Sequence, residues 1–300
     1  MLDKKVTFKG TEKLISRGIS IYEEICEKQG IKIIKTNNTL TFIGKLQADN
    51  FEIKGNISSQ FISGLLFALP LLDEDSCINV ITELESKNYI DITIDVLRQS
   101  GIIIDQKDDN KYYIIGNQQY SLNNCIVEGD YSNASFIDSF NYLNGEVNIK
   151  GLNKESYQGD KVYTSHFEKL NQEYCECDIK NCIDLGPILF AFASLKHGGC
   201  FTGVSRLRIK ESDRISDIKE ELQKFNVEVI EEDNKVIINN KNIKAPNEIL
   251  NGKNDHRIVM ALSIMLSVYG GMIEGVEAVN KSYPSFFDDL KSLGVEVMYE

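Results

Sequence analysis

The chain has 300 residues, 42% apolar and 26% charged, the balance of an ordinary folded protein with no disorder signature. Lys and Arg number 33 against 45 Asp and Glu, a formal charge of −12. That argues against nucleic acid or an anionic membrane as the main partner, since either needs a basic face, yet leaves room for a small anion in a locally basic pocket.

No run approaches the ~20 apolar residues of a membrane span, and the opening "MLDKKVTFKG" has no apolar signal core. The seven cysteines are scattered without a CxxC pair. Cys26, Cys77, Cys125 and Cys200 stand among apolar neighbours and read as reduced core thiols, and Cys175, Cys177 and Cys182 lack the histidine that would complete a zinc set. The expectation is a cytoplasmic protein without a metal site.

Taken in chain order, the first periodic segment is an amphipathic surface helix over 16–29 ("SRGISIYEEICEKQ"), closed by Gly30 in a left-handed cap and continued by "IKII". The hairpin pattern "IIKTNNTLTFIG" follows, with an Asn-rich turn. Next comes "SSQFISGLLFALPLL" (58–72), a helix apolar almost all round and therefore one that must be buried. A surface helix ending in "QSGIII" and the hairpin "IIDQKDDNKYYIIG" complete the cycle. The pattern recurs: "SNASFIDSFNYL", "DLGPILFAFASL" and "DHRIVMALSIMLSV" are further buried helices, "KFNVEV" and "SLGVEV" are helix-end-plus-strand junctions, and "VIEEDNKVIIN" is a third hairpin.

The repeating unit is strand, buried helix, strand, surface helix, strand, strand, and this repetition sets an α/β architecture before any motif does. The stretch 129–184 is worn, because "HFEKLNQEYCECDIKNCIDLG" leaves little room for a hairpin. No buried helix precedes residue 16, so residues 1–15 read either as an irregular start or, as the preferred expectation, as the sign that the N-terminal part of a longer protein is absent.

Polar residues gather where helices begin. Ser58, Ser59 and Gln60 open one buried helix, Asp184 another, and Asp255, His256 and Arg257 a third. Lys210, Glu211 and Arg214 open a surface helix and Lys281 precedes one more. Helix N-termini offer unpaired N–H groups and partial positive charge, which suits phosphate and carboxylate. Each motif also has a bland reading: "SSQ" and "ESD" are ordinary caps, and Glu211 with Arg214 is a solvated i,i+3 pair. "NDHR" resists it, because unpaired charges at the mouth of a fully apolar helix are costly. Arg206 and Arg208 read as solvated strand residues, and His166 and His197 as surface or loop residues.

Together "GNISSQFISGLLFALPLL", "ESKNYIDITIDVL", "RLRIKESDRI", "NDHRIVMALSI" and "KSYPSFFDDLKSLGVEV" resemble the signature segments of the EPSP synthase (3-phosphoshikimate 1-carboxyvinyltransferase) family, in order, from about residue 15 to the C-terminus. The resemblance implies an enolpyruvyl transferase-like two-domain α/β fold, an inside-out α/β barrel of repeated βαβαββ units with an incomplete N-terminal domain. The parts would be residues 1–128 and 129–300, with the active site in the cleft that divides them. It implies transfer of the enolpyruvyl group of phosphoenolpyruvate to the 5-hydroxyl of shikimate 3-phosphate with release of phosphate, a step in aromatic amino acid biosynthesis. No cofactor or metal and no nucleic-acid or membrane partner are implied, and the complete protein would be a monomer.

By the same resemblance Ser58, Ser59 and Gln60 meet shikimate 3-phosphate, with Gln60 also reaching phosphoenolpyruvate, and Ser86, Tyr89 and Lys210 add contacts to shikimate 3-phosphate. Arg17, Arg214, Arg257 and Lys281 match the cations around phosphoenolpyruvate, and His256 joins the substrate-binding set. Asp184 is the candidate base, Glu211 takes part in proton transfer at the methylene carbon, and Lys281 completes the catalytic set. The family's "GSKS"-like start with its arginine, and its "NAGT"-like turn with another, have no counterpart in these residues. The chain alone is therefore expected to turn over little. A non-catalytic substrate-binding fragment and another enolpyruvyl transferase of the same fold stand as alternatives.

Overall fold

A computed structural model describes residues 4–16, 18–121 and 124–299, and divides the chain into two compact units, 1–126 and 127–300. In unit 1, β1 (Lys4–Lys9) lies antiparallel to β3 (Thr39–Gly44), which pairs antiparallel with β2 (Lys32–Lys35). The short helix α1 (Glu12–Ser16) and the amphipathic α2 (Ser20–Lys28) lie between β1 and β2. Residues 4–9 are thus a strand and not an irregular start: Thr7 hydrogen-bonds Thr41 at 2.8 Å and Phe8 meets Phe42 edge-on, so the alternation in "KKVTFK" finds a partner edge on β3.

The next six elements form one full copy of the unit read from the sequence: β4 (Asn50–Ile53), α3 (Ser59–Ala68), β5 (Ser76–Val80), α4 (Lys87–Gln99), β6 (Ile104–Asp108) and β7 (Lys111–Ile114). Strands β4 and β5 are parallel, joined through α3, and the β6–β7 hairpin adds antiparallel to β5, giving the order β4-β5-β7-β6. Helix α3 buries Phe61, Ile62, Leu65 and Leu66, but Phe67 and Leu71 stay 47% and 44% exposed, so this apolar segment is only partly covered.

Unit 2 starts with α5 (Tyr131–Tyr142) and α6 (Tyr163–Gln172), without a hairpin between them among the described residues, as the worn pattern anticipates. A second full copy follows in β8 (Cys175–Asp178), α7 (Gly186–Leu195), β9 (Gly199–Thr202), α8 (Arg214–Lys224), β10 (Glu228–Glu232) and β11 (Lys235–Asn239). Its order, β8-β9-β11-β10, repeats that of unit 1. A shorter copy closes the chain: β12 (Leu250–Asn251) runs parallel to β13 (Ile273–Glu274) through α9 (His256–Tyr269), and α10 (Phe286–Ser292) comes last.

The strand expected in "SLGVEV" does not form. A strand needs a neighbour for its N–H and C=O groups, and among the described residues none runs beside 295–297; Val295 and Val297 pack half-buried on the core instead. Residues 186–194 of α7 and 256–265 of α9 are all buried, which explains their all-round apolarity. No described helix is long and apolar enough to cross a membrane.

Two smaller expectations fail. His166 is a buried residue of α6, with Nε2 3.8 Å from the Cys182 sulfur, because it falls on the same helical stripe as Tyr163, Phe167 and Leu170. Cys125 is exposed and Cys77 half-buried, so neither is a core thiol.

Candidate active site

A helix that follows a strand starts at that strand's C-terminal end, so in parallel strands the helix starts share one edge of the sheet. In unit 1 this brings the loops before α3 and α4 together. Thr82 Oγ1 accepts from the Gly55 N–H at 2.9 Å, and the Glu85 N–H donates to the Gly55 carbonyl at 3.3 Å. Gly55 is required here: a Cβ would stand 2.6 Å from Val80 Cγ1 and 3.0 Å from the Glu83 carbonyl oxygen.

Ser58 is the N-cap of α3, its hydroxyl accepting from the Gln60 N–H; Ser59 is buried and Gln60 exposed. Ser86, buried with a left-handed backbone (φ 56°), precedes α4, and half-buried Tyr89 lies in the first turn of that helix. The five unit 1 candidates therefore sit on two neighbouring helix starts. Arg17 lies outside the described residues.

In unit 2 the same edge gathers charge. Asp184 occupies a one-turn 3-10 segment (Ile183–Leu185) ahead of α7, and a longer 3-10 segment (Ser205–Ile209) folds over it. The approach is close at Gly186, where a Cβ would meet Leu207 Cδ1 at 2.8 Å. Lys210 is thereby set with Nζ 3.1 Å from Asp184 Oδ1. Arg214, the first residue of α8, is 1% exposed and fully engaged: Nε donates to Asp255 Oδ2 at 2.8 Å, Nη1 to Asp184 Oδ1 at 2.8 Å and Nη2 to Glu211 Oε2 at 2.6 Å.

Asp255, with its side chain wholly buried, also caps α9 by accepting from the Arg257 N–H at 2.9 Å. Arg257 reaches back with Nη1 to the Ser132 hydroxyl and Nη2 to Asp184 Oδ2 at 3.3 Å. Lys281 is exposed at the rim, its Nζ donating to Asn254 Oδ1 at 2.9 Å.

Burial by itself would raise the Asp184 pKa, yet Arg257, Lys210 and Arg214 hold the carboxyl far below the usual range. The cations, more than the helix terminus, keep it ionised. Asp255 is likewise held down, against burial, by Arg214 and the Arg257 N–H. Burial lowers the Lys210 ammonium, opposed by Asp184. Burial and the Arg257 charge push His256 down to about 4, so it is a neutral imidazole at neutral pH.

Exposure divides the cluster by role. Arg214 and Asp255 are sealed and act as its frame, whereas the side chains of Asp184, Lys210 and Glu211 are 18%, 24% and 31% exposed and can be reached by a ligand.

The structure also amends the bland readings. In the Glu211–Arg214 pair the arginine is sealed and only the glutamate reaches solvent, and Arg206 and Arg208 are not strand residues: both sit in the 3-10 segment, where Arg208 pairs with Glu231 at 2.7 Å and Asp213 at 3.4 Å. Ser132 and Asp160 belong to the cluster's surroundings, and sequence reasoning missed both. Asp160 is 6% exposed, and the charges of Asp184, Arg257, Asp130 and Lys210 act on it. A signal for it exists: position 160 shares the helical phase of the buried Tyr163, Phe167 and Leu170.

This repeated unit of mixed parallel and antiparallel strands is a fold shared with solved enolpyruvyl transferases. EPSP synthase from Acinetobacter baumannii superposes with a TM-score of 0.78 at 19% identity, over 98% of this chain and 74% of that one. The enolpyruvyl transferase NikO from Streptomyces tendae superposes with a TM-score of 0.73 at 11% identity, over 99% and 74%.

Sequence narrows the class. The EPSP synthase (3-phosphoshikimate 1-carboxyvinyltransferase) family profile matches residues 1–290. The 3-phosphoshikimate 1-carboxyvinyltransferase of Clostridium kluyveri is 40% identical over 319 residues, which cover 99% of this chain and 74% of the relative. That of Clostridium acetobutylicum is also 40% identical, covering 98% and 73%. The chain belongs to the EPSP synthase family.

Proposed function

We propose that this chain carries the substrate-binding and acid–base residues for moving the enolpyruvyl group of phosphoenolpyruvate onto the 5-hydroxyl of shikimate 3-phosphate. In this reading the hydroxyl oxygen adds to C2 of phosphoenolpyruvate while C3 gains a proton; C3 then loses a proton as the C2–O bond to phosphate breaks. Asp184 takes the hydroxyl proton and Glu211 exchanges the proton at C3. Arg257 and Lys281 meet the carboxylate and phosphate of phosphoenolpyruvate, with Arg17 a further cation of that set, while sealed Arg214 acts on the ligand only through the acids it holds in place. By the family resemblance Lys210 of unit 2 is assigned to shikimate 3-phosphate, as are Ser58, Ser59, Ser86 and Tyr89 of unit 1; Gln60 is assigned to both substrates, and neutral His256 adds a hydrogen bond without charge.

The observation that carries the reading is Asp184: a partly exposed carboxylate gripped by three cations from two separate helix starts, those of α8 and α9. An anionic substrate that draws Arg257 or Lys210 away leaves Asp184 with less counter-charge and raises its basicity, so substrate binding itself arms the base. Titrating the ligands into the chain by ³¹P NMR tests this. Both should bind, and Asp184→Asn should keep binding while losing any phosphate release. A folded chain that does not bind phosphoenolpyruvate with shikimate 3-phosphate present would refute the proposal.

A further inference from the structure

The cluster contains one carboxyl that the proposed chemistry does not use. Asp160 stands in a 3-10 turn (Gly159–Val162) that leads into α6 and packs against α5. It is 6% exposed, and its Oδ1 is buried without a hydrogen-bond partner among the described residues. The neighbouring cation has a matching gap: Arg257 Nε is likewise buried and unpartnered, although Nη1 and Nη2 are engaged. An orphan acceptor and an orphan donor in one charge cluster are costly in a rigid site, and they mark a place where an arriving group changes the local charge.

Resting on the function proposed above, we infer that Asp160 is the group that takes up a proton when a substrate anion engages Arg257. The groups that act on it come from every side of the site: Asp130 from the start of α5, Asp184 and Cys182 from the approach to α7, Lys210 from the approach to α8, and Arg257 from α9. Burial and the Asp184 charge push the Asp160 carboxyl up to about 7, with Arg257 opposing them. Asp184 and Asp255 are held ionised by direct cation contacts. Asp160 is the member without such a bond, so it is the one whose proton affinity a new anion raises most easily. No bond between heavy atoms is made or broken in this step; one proton passes from solvent to an Asp160 carboxyl oxygen, forming an O–H bond, and the neutral O–H can then donate to the anion.

The sign follows from linkage. Binding raises the Asp160 pKa, so anion affinity is level below about pH 7 and falls above it, by up to about tenfold per pH unit, until the bound-state pKa is passed. Calorimetric titration of phosphoenolpyruvate into the chain with shikimate 3-phosphate present, in buffers of different ionisation enthalpy near pH 7.5, counts protons. Asp160→Asn keeps the shape and cannot titrate. Wild type should take up more protons than Asp160→Asn, and the fall in affinity above about pH 7 should flatten in the variant. Difference infrared spectra of wild type alone should gain a protonated carboxyl band on binding, a readout independent of how the variant folds.

Equal proton counts in the two proteins, or no new carboxyl band, overturn the assignment of Asp160 while leaving the function standing. Absence of phosphoenolpyruvate binding to wild type overturns both.

Discussion

Replacing Arg214 by Met tests whether the sealed arginine is the frame of unit 2. Met keeps most of the stem volume but removes the two bonds to Asp255 and those to Asp184 and Glu211. The three acids fare differently. Asp184 retains Lys210 and Arg257, and Glu211 is 31% exposed and can turn to water. Asp255 is wholly buried and keeps only the Arg257 N–H; the His256 Nδ1 is 3.9 Å away, on a ring that is neutral at neutral pH.

Breaking one partner out of a buried pair costs about 3–5 kcal/mol. For a unit of this size that is a fall in melting temperature of roughly 6–20 °C. The chain has no tryptophan, so thermal and urea unfolding followed by far-ultraviolet circular dichroism is the assay. Adding Asp255→Asn removes the stranded charge and should recover at least about 1 kcal/mol of the loss. The penalty should also shrink on acidification, because a depressed carboxyl stabilises the fold above its unfolded pKa and loses that contribution as pH falls through its folded value. A single variant within about 0.5 kcal/mol of wild type, or a double variant with no recovery, would refute the frame.

Asp160 has the opposite linkage: its folded pKa of about 7 lies above the unfolded value, so it opposes stability increasingly as pH rises from about 4 to 7. Asp160→Asn should therefore gain stability relative to wild type at pH 7.5, keep only a minor part of that advantage at pH 5 and lose it near pH 4, as read by urea midpoints; a difference that does not vary with pH contradicts the buried carboxyl. The His256 imidazole should show no NMR titration between about pH 5.5 and 8, and a midpoint near the ordinary 6.5 would contradict its burial against Arg257. Hydrogen exchange should be faster across residues 18–121 than across α7 and α9, because Phe67 in α3 and Leu71 in the turn after it leave that apolar segment partly uncovered; uniformly strong protection contradicts this. The chain assayed by itself should release phosphate at least about a hundredfold more slowly than a relative carrying the Lys-Ser and Arg set absent from these residues, and comparable turnover would overturn that expectation.

The repeating unit was legible because two periods mark it. Asn/Asp turns between β-rich runs announced all three hairpins, and the all-apolar "GPILFAFASL" could only be interior. Strand β1 was hidden because a six-residue strand is defined by its partner, here β3, and the missing strand at 295–297 shows the converse. At the site, residue types at helix starts identified Asp184, Lys210, Glu211, Arg214 and Arg257 as a group. Their division into a sealed frame and a reachable face depends on packing between α8 and α9, which no local pattern encodes. Ser132 was beyond reach for the same reason: it meets Arg257 across 125 positions of chain.

The central claim is that the cluster around Asp184 and Arg257 receives the anionic end of phosphoenolpyruvate. Calorimetric titration of shikimate 3-phosphate, then of phosphoenolpyruvate, into wild type and Arg257→Ala tests it most directly. Arg257→Ala should weaken phosphoenolpyruvate binding by about tenfold or more, the worth of a charged hydrogen-bond partner, while shikimate 3-phosphate binding stays nearly unchanged. Unchanged phosphoenolpyruvate affinity in a folded Arg257→Ala protein would contradict the account.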